Sequence, residues 1–259
     1  MPKSASDKRH FIIAAALILV STIALDFLLE AALPMPVQAS IEAITIDALI
    51  GWHLTLIAFL FSLIVVFMLY AIVVFRKRDG DETEGEHFEG NTVLEIVWTV
   101  APLIFVVVFA FYGVNSLAQV TRGDSNEFEV TAVGFQWGWR FEYPNGIISP
   151  ELVLPVDQRV HATLQAQDVL HSFWIPEMRV KQDLVPGYDT SIRFTPIIAG
   201  EYKLLCSELC GSGHHSMRAP VRILSPEDYQ QWETDQLAAQ GIDVAQIDVE
   251  QVEVAAAIE

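Results

Sequence analysis

Cys206-Ser207-Glu208-Leu209-Cys210-Gly211-Ser212-Gly213-His214-His215-Ser216-Met217 brings two thiols, an imidazole and a thioether within twelve residues. These are the only two cysteines in the 259-residue chain. Thiolate, thioether and imidazole form a soft to borderline donor set that suits copper, with Cys and Met favouring Cu(I) and imidazole serving either oxidation state. Calcium and magnesium would ask for oxygens instead. Gly211 and Gly213 supply the backbone freedom a short loop needs to aim several side chains at one point. Upstream, His171 stands in the strand-like apolar run Asp168-Val169-Leu170-His171-Ser172-Phe173-Trp174 and is the further candidate ligand. The competing reading is a Cys206–Cys210 disulfide in an exported domain. A disulfide would need none of the His and Met spacing.

Around this loop the pattern is that of a small β domain. Short alternating segments run over 128–133, 137–143, 159–164, 191–194 and 202–206, separated by turn residues such as Pro144-Asn145-Gly146 and Pro186-Gly187. Several short strands at this spacing in about 100 residues predict an antiparallel sandwich or barrel over 123–225. A helix should start at Ser225-Pro226, with Ser225 as N-cap and Pro226 in its first position. It should run to about Ala239 and be stopped by Gly241. Within 226–259 the rest would be an acidic tail.

Before residue 123 the chain reads as a membrane anchor. Ala48–Phe75 and Ile96–Thr121 carry no Asp, Glu, Lys or Arg, and each exceeds the roughly 20 residues that cross a bilayer. They predict a helical hairpin over 45–122. Arg76-Lys77-Arg78 lies between them, so the positive-inside rule puts that junction in the cytoplasm and the β domain outside. Over 1–44, Lys3, Lys8 and Arg9 precede the apolar run Phe11–Leu25, which fits either a signal peptide or a third spanning helix. Val37 and Ala39 are the small residues a cleavage site would use, but they lie far from the end of that run. Asp26 and Glu30 weaken a full span, yet would sit near its outer end. A retained third helix is the preferred reading.

The net charge of −18 does not describe one basic-partner surface. Nine acids and no Lys or Arg fall in 227–259, six acids fall in 79–89, and 124–226 holds twelve acids against eight bases. Much of the excess therefore belongs to a solvated tail and a cytoplasmic loop. No phosphate loop or nucleophile elbow occurs, and nothing suggests a nucleic-acid partner.

The metal loop resembles that of subunit II of haem–copper cytochrome c oxidases, C-x-E-x-C-G-x-x-H-x-x-M, at Cys206, Glu208, Cys210, Gly211, His214 and Met217. The resemblance also takes in the His171 segment, Gln136-Trp137-Gly138-Trp139-Arg140-Phe141-Glu142-Tyr143, Lys181-Gln182-Asp183 and the two membrane segments, about residues 45–225. It implies a membrane-anchored all-β protein whose domain is a cupredoxin-like Greek-key barrel. It further implies two copper ions bridged by Cys206 and Cys210, with His171 and His214 as terminal ligands and Met217 and the Glu208 carbonyl as weak ones. The implied partners are subunit I and other oxidase subunits, and a cytochrome c donor on the outer side of a bacterial plasma membrane. The Glu208 carboxylate would help hold magnesium at the subunit I interface; the bland alternative is a hydrogen-bonded carboxylate.

Two further residues stand open. Alternation would place Trp137 and Trp139 on one strand face. Both would then be barrel core, or Trp137 would lie above the copper and take the donor's electron. The family usually carries an aromatic where this chain has Gly138, which puts that contact in doubt. Glu95 opens the second span and could serve the helix N-terminus or the headgroups; the resemblance makes it the mouth of a proton pathway. His161 reads as structural and His215 as a surface residue. Quinol oxidase subunits lack the copper ligands, and nitrous oxide reductase needs a histidine-rich cluster that seven scattered histidines cannot supply. The remaining alternative is a metal-binding or electron-transfer module outside an oxidase. No C-x-x-C-H occurs, so the donor haem must be on a separate protein.

Overall fold

Three helices long and apolar enough to cross a bilayer lead the chain in the computed structural model, which describes residues 5–80, 82 and 89–242. They are α1 (Ala5–Ala32), α2 (Ile41–Val74) and α3 (Thr92–Thr121). Most of the acidic loop 79–89 and the tail beyond 242 lie outside the described residues. α1 is a continuous helix paired with α2 near both ends. His10 Nδ1 lies 2.7 Å from the Tyr70 hydroxyl, and the Thr55 hydroxyl donates to Asp26 Oδ1 at 3.2 Å. The Asp26 that counts against a span thus has a polar partner on the neighbouring helix. Ala14, Ala58 and Ser62 are buried along this pair, as expected where small residues let membrane helices approach closely.

Among the described residues, a second compact unit combines 36–46 with 115–242. Its ten strands are β1 (Phe128–Phe135), β2 (Gly138–Glu142), β3 (Ile148–Ser149), β4 (Leu152–Pro155), β5 (Val160–Ala166), β6 (His171–Ile175), β7 (Val180–Leu184), β8 (Thr190–Phe194), β9 (Gly200–Cys206) and β10 (Arg218–Leu224). They form two five-stranded sheets, β3-β2-β1-β5-β8 and β4-β10-β9-β6-β7. The β1–β5 and β4–β10 pairs are parallel and the other pairs antiparallel. Phe141, Leu164 and Phe194 from one sheet and Leu154, Phe173 and Leu204 from the other fill a shared, fully buried core. The alternating segments became β1, β2, β5, β8 and β9. β4 escaped the alternation pattern because all four of its residues are buried, leaving no polar face to read.

After β10, α4 (Pro226–Gln240) follows. The Ser225 hydroxyl accepts from the Asp228 N–H and Gly241, at φ +66°, closes the helix, a left-handed position that favours glycine. Tyr229 and Trp232 turn inward against Phe128 and Tyr143.

The start of α2 is stitched into this β unit. Ala39 N–H donates to Glu177 O and Ala39 O accepts from Ile197 N–H, while Ile41 N–H donates to Thr195 O. Ala39 and Ser40 are fully buried, so the bond that a cleavage after Ala39 would break is enclosed in the folded domain. Glu42, 3% exposed, pairs with Arg159 Nη1 at 2.9 Å. The same guanidinium donates to the carbonyls of Val120 and Arg122 at 2.8 Å, where the C-terminal end of α3 presents unpaired carbonyls.

Candidate metal centre

β6 and β9 are neighbours, with Phe173 opposite Cys206, so the start of β6 brings His171 to the end of β9. His171 is fully buried, and its Nδ1 lies 3.9 Å from Cys206 Sγ. The loop after β9 then curls. Cys210 Sγ comes to 3.8 Å from Cys206 Sγ, and His214 Nδ1 and Met217 Sδ each lie 3.6 Å from Cys210 Sγ. The Cys206 thiol points at the Glu208 carbonyl, 3.2 Å away. His171, Cys206, Cys210, His214, Met217 and the Glu208 main chain therefore converge on one cage.

That cage fits a soft metal. Both cysteines are free, and 3.8 Å between sulfurs is far beyond the disulfide length of about 2.05 Å. It is short enough for one ion to touch both at about 2.3 Å, a usual metal–thiolate length. Burial, then the neighbouring Cys206 thiol, pushes the Cys210 thiol up to about 11. A thiol at that level must give up its proton to become a ligand, so metal loading releases protons.

Around the cage, two features were not read from the sequence. His171 Nε2 is 2.8 Å from Asp168 Oδ1, which fixes the ring and leaves Nδ1 facing the sulfurs. Asp168 also accepts from the N–H groups of Gln136 and Val169 at 2.7 Å. Burial raises its carboxyl, but these hydrogen bonds and the imidazole outweigh that and hold it below the ordinary carboxylate range. The Cys210 carbonyl, in turn, accepts from Gln136 Nε2 at 2.8 Å and Trp137 Nε1 at 3.1 Å. The Asp168–His171 spacing of three residues was the available signal for the first. The second spans more than seventy residues and left none.

Trp137 and Trp139 do not share a face, which corrects the alternation reading. Phe135 pairs with Gly138 across a two-residue turn, so Trp137 lies on the turn and is 44% exposed, whereas Trp139 is 5% exposed and packs on Phe173. Only glycine allows the indole to lie on the metal loop: a Cβ at Gly213 would sit 2.4 Å from Trp137 Cδ2. Gly211 takes φ +114°. The space over Gly138 is filled by the Phe135 ring, 2.9 Å from where a Cβ would stand.

The sequence profile described as "Cytochrome C oxidase subunit II, periplasmic domain" matches residues 147–224, and that described as "Cytochrome C oxidase subunit II, transmembrane domain" matches residues 28–116. Cytochrome c oxidase subunit 2 of Synechocystis sp. is 32% identical over 246 residues, covering 76% of this chain and 74% of that protein. The chain belongs to the cytochrome c oxidase subunit II family. The subunit of Thermostichus vulcanus is 30% identical, over 76% of this chain and 77% of that one. A crystal structure of the periplasmic domain of subunit II from Bradyrhizobium japonicum aligns with 46% of this chain and 99% of its own, at 23% identity and a TM-score of 0.43.

As a subunit II, the chain is a membrane protein with a periplasmic β domain and is part of a haem–copper oxidase, which sets aside a module outside an oxidase. Glu95 is in the first turn of α3, where its carboxylate accepts from Asn91 N–H at 3.2 Å while Asn91 Oδ1 accepts from Leu94 N–H at 3.1 Å. This is a reciprocal cap of a helix N-terminus. His161 pairs with Glu129 at 2.9 Å, and His215 is exposed.

Proposed function

We propose that this subunit takes electrons from a cytochrome c on the outer face of a bacterial plasma membrane, at a dinuclear copper centre, and passes them to haem in subunit I, where oxygen is reduced to water. The observation that carries this is the pair of free thiols 3.8 Å apart, flanked by the Nδ1 atoms of His171 and His214. Cys206 and Cys210 would hold the two ions through their thiolates. His171 and His214 would hold one end each, with Met217 and the Glu208 carbonyl as weak ligands. When bound, the copper pair supplies a one-electron carrier.

The chain's own residues hold that carrier rigid. The Asp168 carboxylate locks the His171 ring, and Gln136 and Trp137 pin the carbonyl of Cys210, so the cage needs little rearrangement when charge changes. Trp137 would receive the donor's electron, since it is exposed on one side and hydrogen-bonded to the Cys210 carbonyl on the other. The Glu208 carboxylate would hold magnesium at the subunit I interface, and Glu95 would feed a proton pathway in subunit I.

Cys206→Ser or Cys210→Ser in the intact oxidase replaces a soft bridging ligand by a hard one. The mixed-valence spin-resonance signal should vanish and cytochrome c oxidation should nearly stop. A variant that keeps the wild-type copper spectrum would sink the assignment. For Glu95, Gln in its place keeps an acceptor for Asn91 N–H and removes the titratable group. Slower turnover with an unchanged copper spectrum is expected; turnover equal to wild type across neutral and alkaline pH returns Glu95 to a capping role alone.

A further inference from the structure

A cavity of about 280 Å³ lies among Ile46 near the start of α2, the last turn of α3, and the strands β7 and β8. All of its lining residues belong to the compact unit that holds the β domain. Part of the lining is apolar, with Ile46, Leu117 and Val120 contributed by the two spanning helices. Leu117, Val120 and Thr121 are three and four residues apart, so they share one helix face. Arg179, Lys181 and Arg193 supply a cationic part. Among the described residues no Asp or Glu lines the cavity, although the chain carries a net charge of −18.

The three cations are not equally committed. Arg179 has both Nη groups bonded to the carbonyls of Pro176 and Pro36, and so contributes mainly charge. Arg193 donates to Glu127 through Nε alone, at 3.0 Å, and its Nη groups make no hydrogen bond among the described residues. Lys181 is exposed and makes no ion pair among the described residues. The acids nearby do not cancel this. Glu127 is shared between Arg159 and Arg193, and Asp47, next to Ile46 in sequence, is itself engaged. Asp183 lies along β7 toward the metal end, since Val180 pairs with Ile175 and Leu184 with His171. The Val120 carbonyl, which the end of α3 would turn on an anion, is taken by Arg159 Nη2.

Free cationic donors beside an apolar helix face select an amphiphile with an anionic head. We infer that this cavity binds the phosphate headgroup of an anionic phospholipid from the periplasmic leaflet, with the acyl chains along Ile46, Leu117 and Val120. The ends of spanning helices lie at the membrane–water boundary, where the lipid phosphates are. An Arg fork matches phosphate oxygens, and a Lys adds a point charge. A free phosphate would use the cations and leave the apolar lining wet. An uncharged lipid would cover that lining and leave the cations unused. The cavity is at the small end of ligand pockets, so it takes a headgroup while the chains stay outside. Basic pockets beside membrane helices hold anionic headgroups in this way. An occupied site would brace β7, whose Leu184 pairs with the ligand His171.

The test uses the intact oxidase in phosphatidylcholine vesicles doped with a phosphatidylglycerol that carries a photoreactive group near its glycerol. Crosslinked peptides are mapped by mass spectrometry. The wild type should be labelled within 41–46 or 115–122, and a phosphatidylcholine probe with the same group should label those segments at least about fivefold less. Lys181→Gln should lower the phosphatidylglycerol yield about fivefold, the effect of one cation at a membrane surface, while Lys181→Arg should keep it. Both variants should retain the wild-type copper spectrum. Equal yields from the two probes, or a Lys181→Gln yield within about twofold of wild type, overturn the inference. If millimolar inorganic phosphate removes the label, the cavity is a free-phosphate site and the lipid assignment falls. If Lys181→Gln purifies without subunit I, the cavity is a subunit contact and the assignment falls likewise.

Discussion

The metal cage is held from two sides that differ in kind. His171 and Cys206 stand on paired strands, β6 and β9, with Phe173 beside them fully buried in the core. Cys210 and His214 stand on a loop and a short turn, where two hydrogen bonds to the Cys210 carbonyl and the adjacent Trp137 ring set the shape, while Met217, just before β10, is tied back to the sheet by its carbonyl bond to Cys206 N–H. A ligand on a sheet is placed by the packing of the whole domain. One on a loop is placed by a few local contacts. Disturbing the first side should therefore cost stability, and disturbing the second should cost function at little change in stability.

The largest separation should come from the strand side. Phe173 is fully buried and meets Trp139 and Phe194 at ring-centroid distances of 6.2 and 6.3 Å. Phe173→Ala should destabilise the β domain by about 3–5 kcal/mol, measured by urea unfolding of the oxidase followed by loss of domain fluorescence. A change below about 1 kcal/mol, within the range of surface substitutions, would mean that the strand side is not core-held and would break the comparison.

Asp168 is the intermediate case, since it joins both sides. Asp168→Asn keeps an acceptor for His171 but removes the charge, and should weaken copper binding about 10–100-fold, read by competition with a copper chelator. The sign of the pH effect follows from its lowered folded value. Its stabilising contribution is complete above the ordinary 3.8 and is lost as pH falls through the lower folded value. Copper retention in the wild type should thus be insensitive to this group at neutral and mildly acid pH. A loss of copper near pH 6 that Asp168→Asn abolishes would contradict that sign.

The same contrast explains what could be read in the sequence. The convergence of Cys206, Cys210, His214 and Met217 was legible because they fall within twelve residues, and the spans were legible because apolar length is a local property. The helix from Ser225 to Gly241 was legible from its caps. Contacts made across the chain were not. The 74-residue reach from Gln136 to Cys210 and the 117-residue reach from Arg159 to Glu42 leave no periodic trace. Trp137 and Trp139 were misassigned to one face because Gln136-Trp137 is a two-residue turn without the Gly or Asn that usually marks one. β3, with two residues, was too short for a period to be visible.

Gly213→Ala should give the smallest change in stability, and it bears most directly on the loop side. Gly213 has φ −88°, a value open to any residue, so alanine adds no backbone strain. Alanine also lowers the entropy of the unfolded chain, which favours folding by about 0.4–1 kcal/mol. Against this, its Cβ would stand 2.4 and 2.5 Å from Trp137 Cδ2 and Cγ, so the indole must leave the loop and give up its bond to the Cys210 carbonyl. One such bond contributes about 0.5–1.5 kcal/mol. The two effects nearly cancel, and the unfolding midpoint should move little. Electron uptake from cytochrome c should nevertheless slow about tenfold or more, because the displaced indole no longer bridges the surface to the metal loop. Wild-type uptake in Gly213→Ala would remove Trp137 from the route, whereas a loss of stability approaching that of Phe173→Ala would show that the loop is held by the core after all.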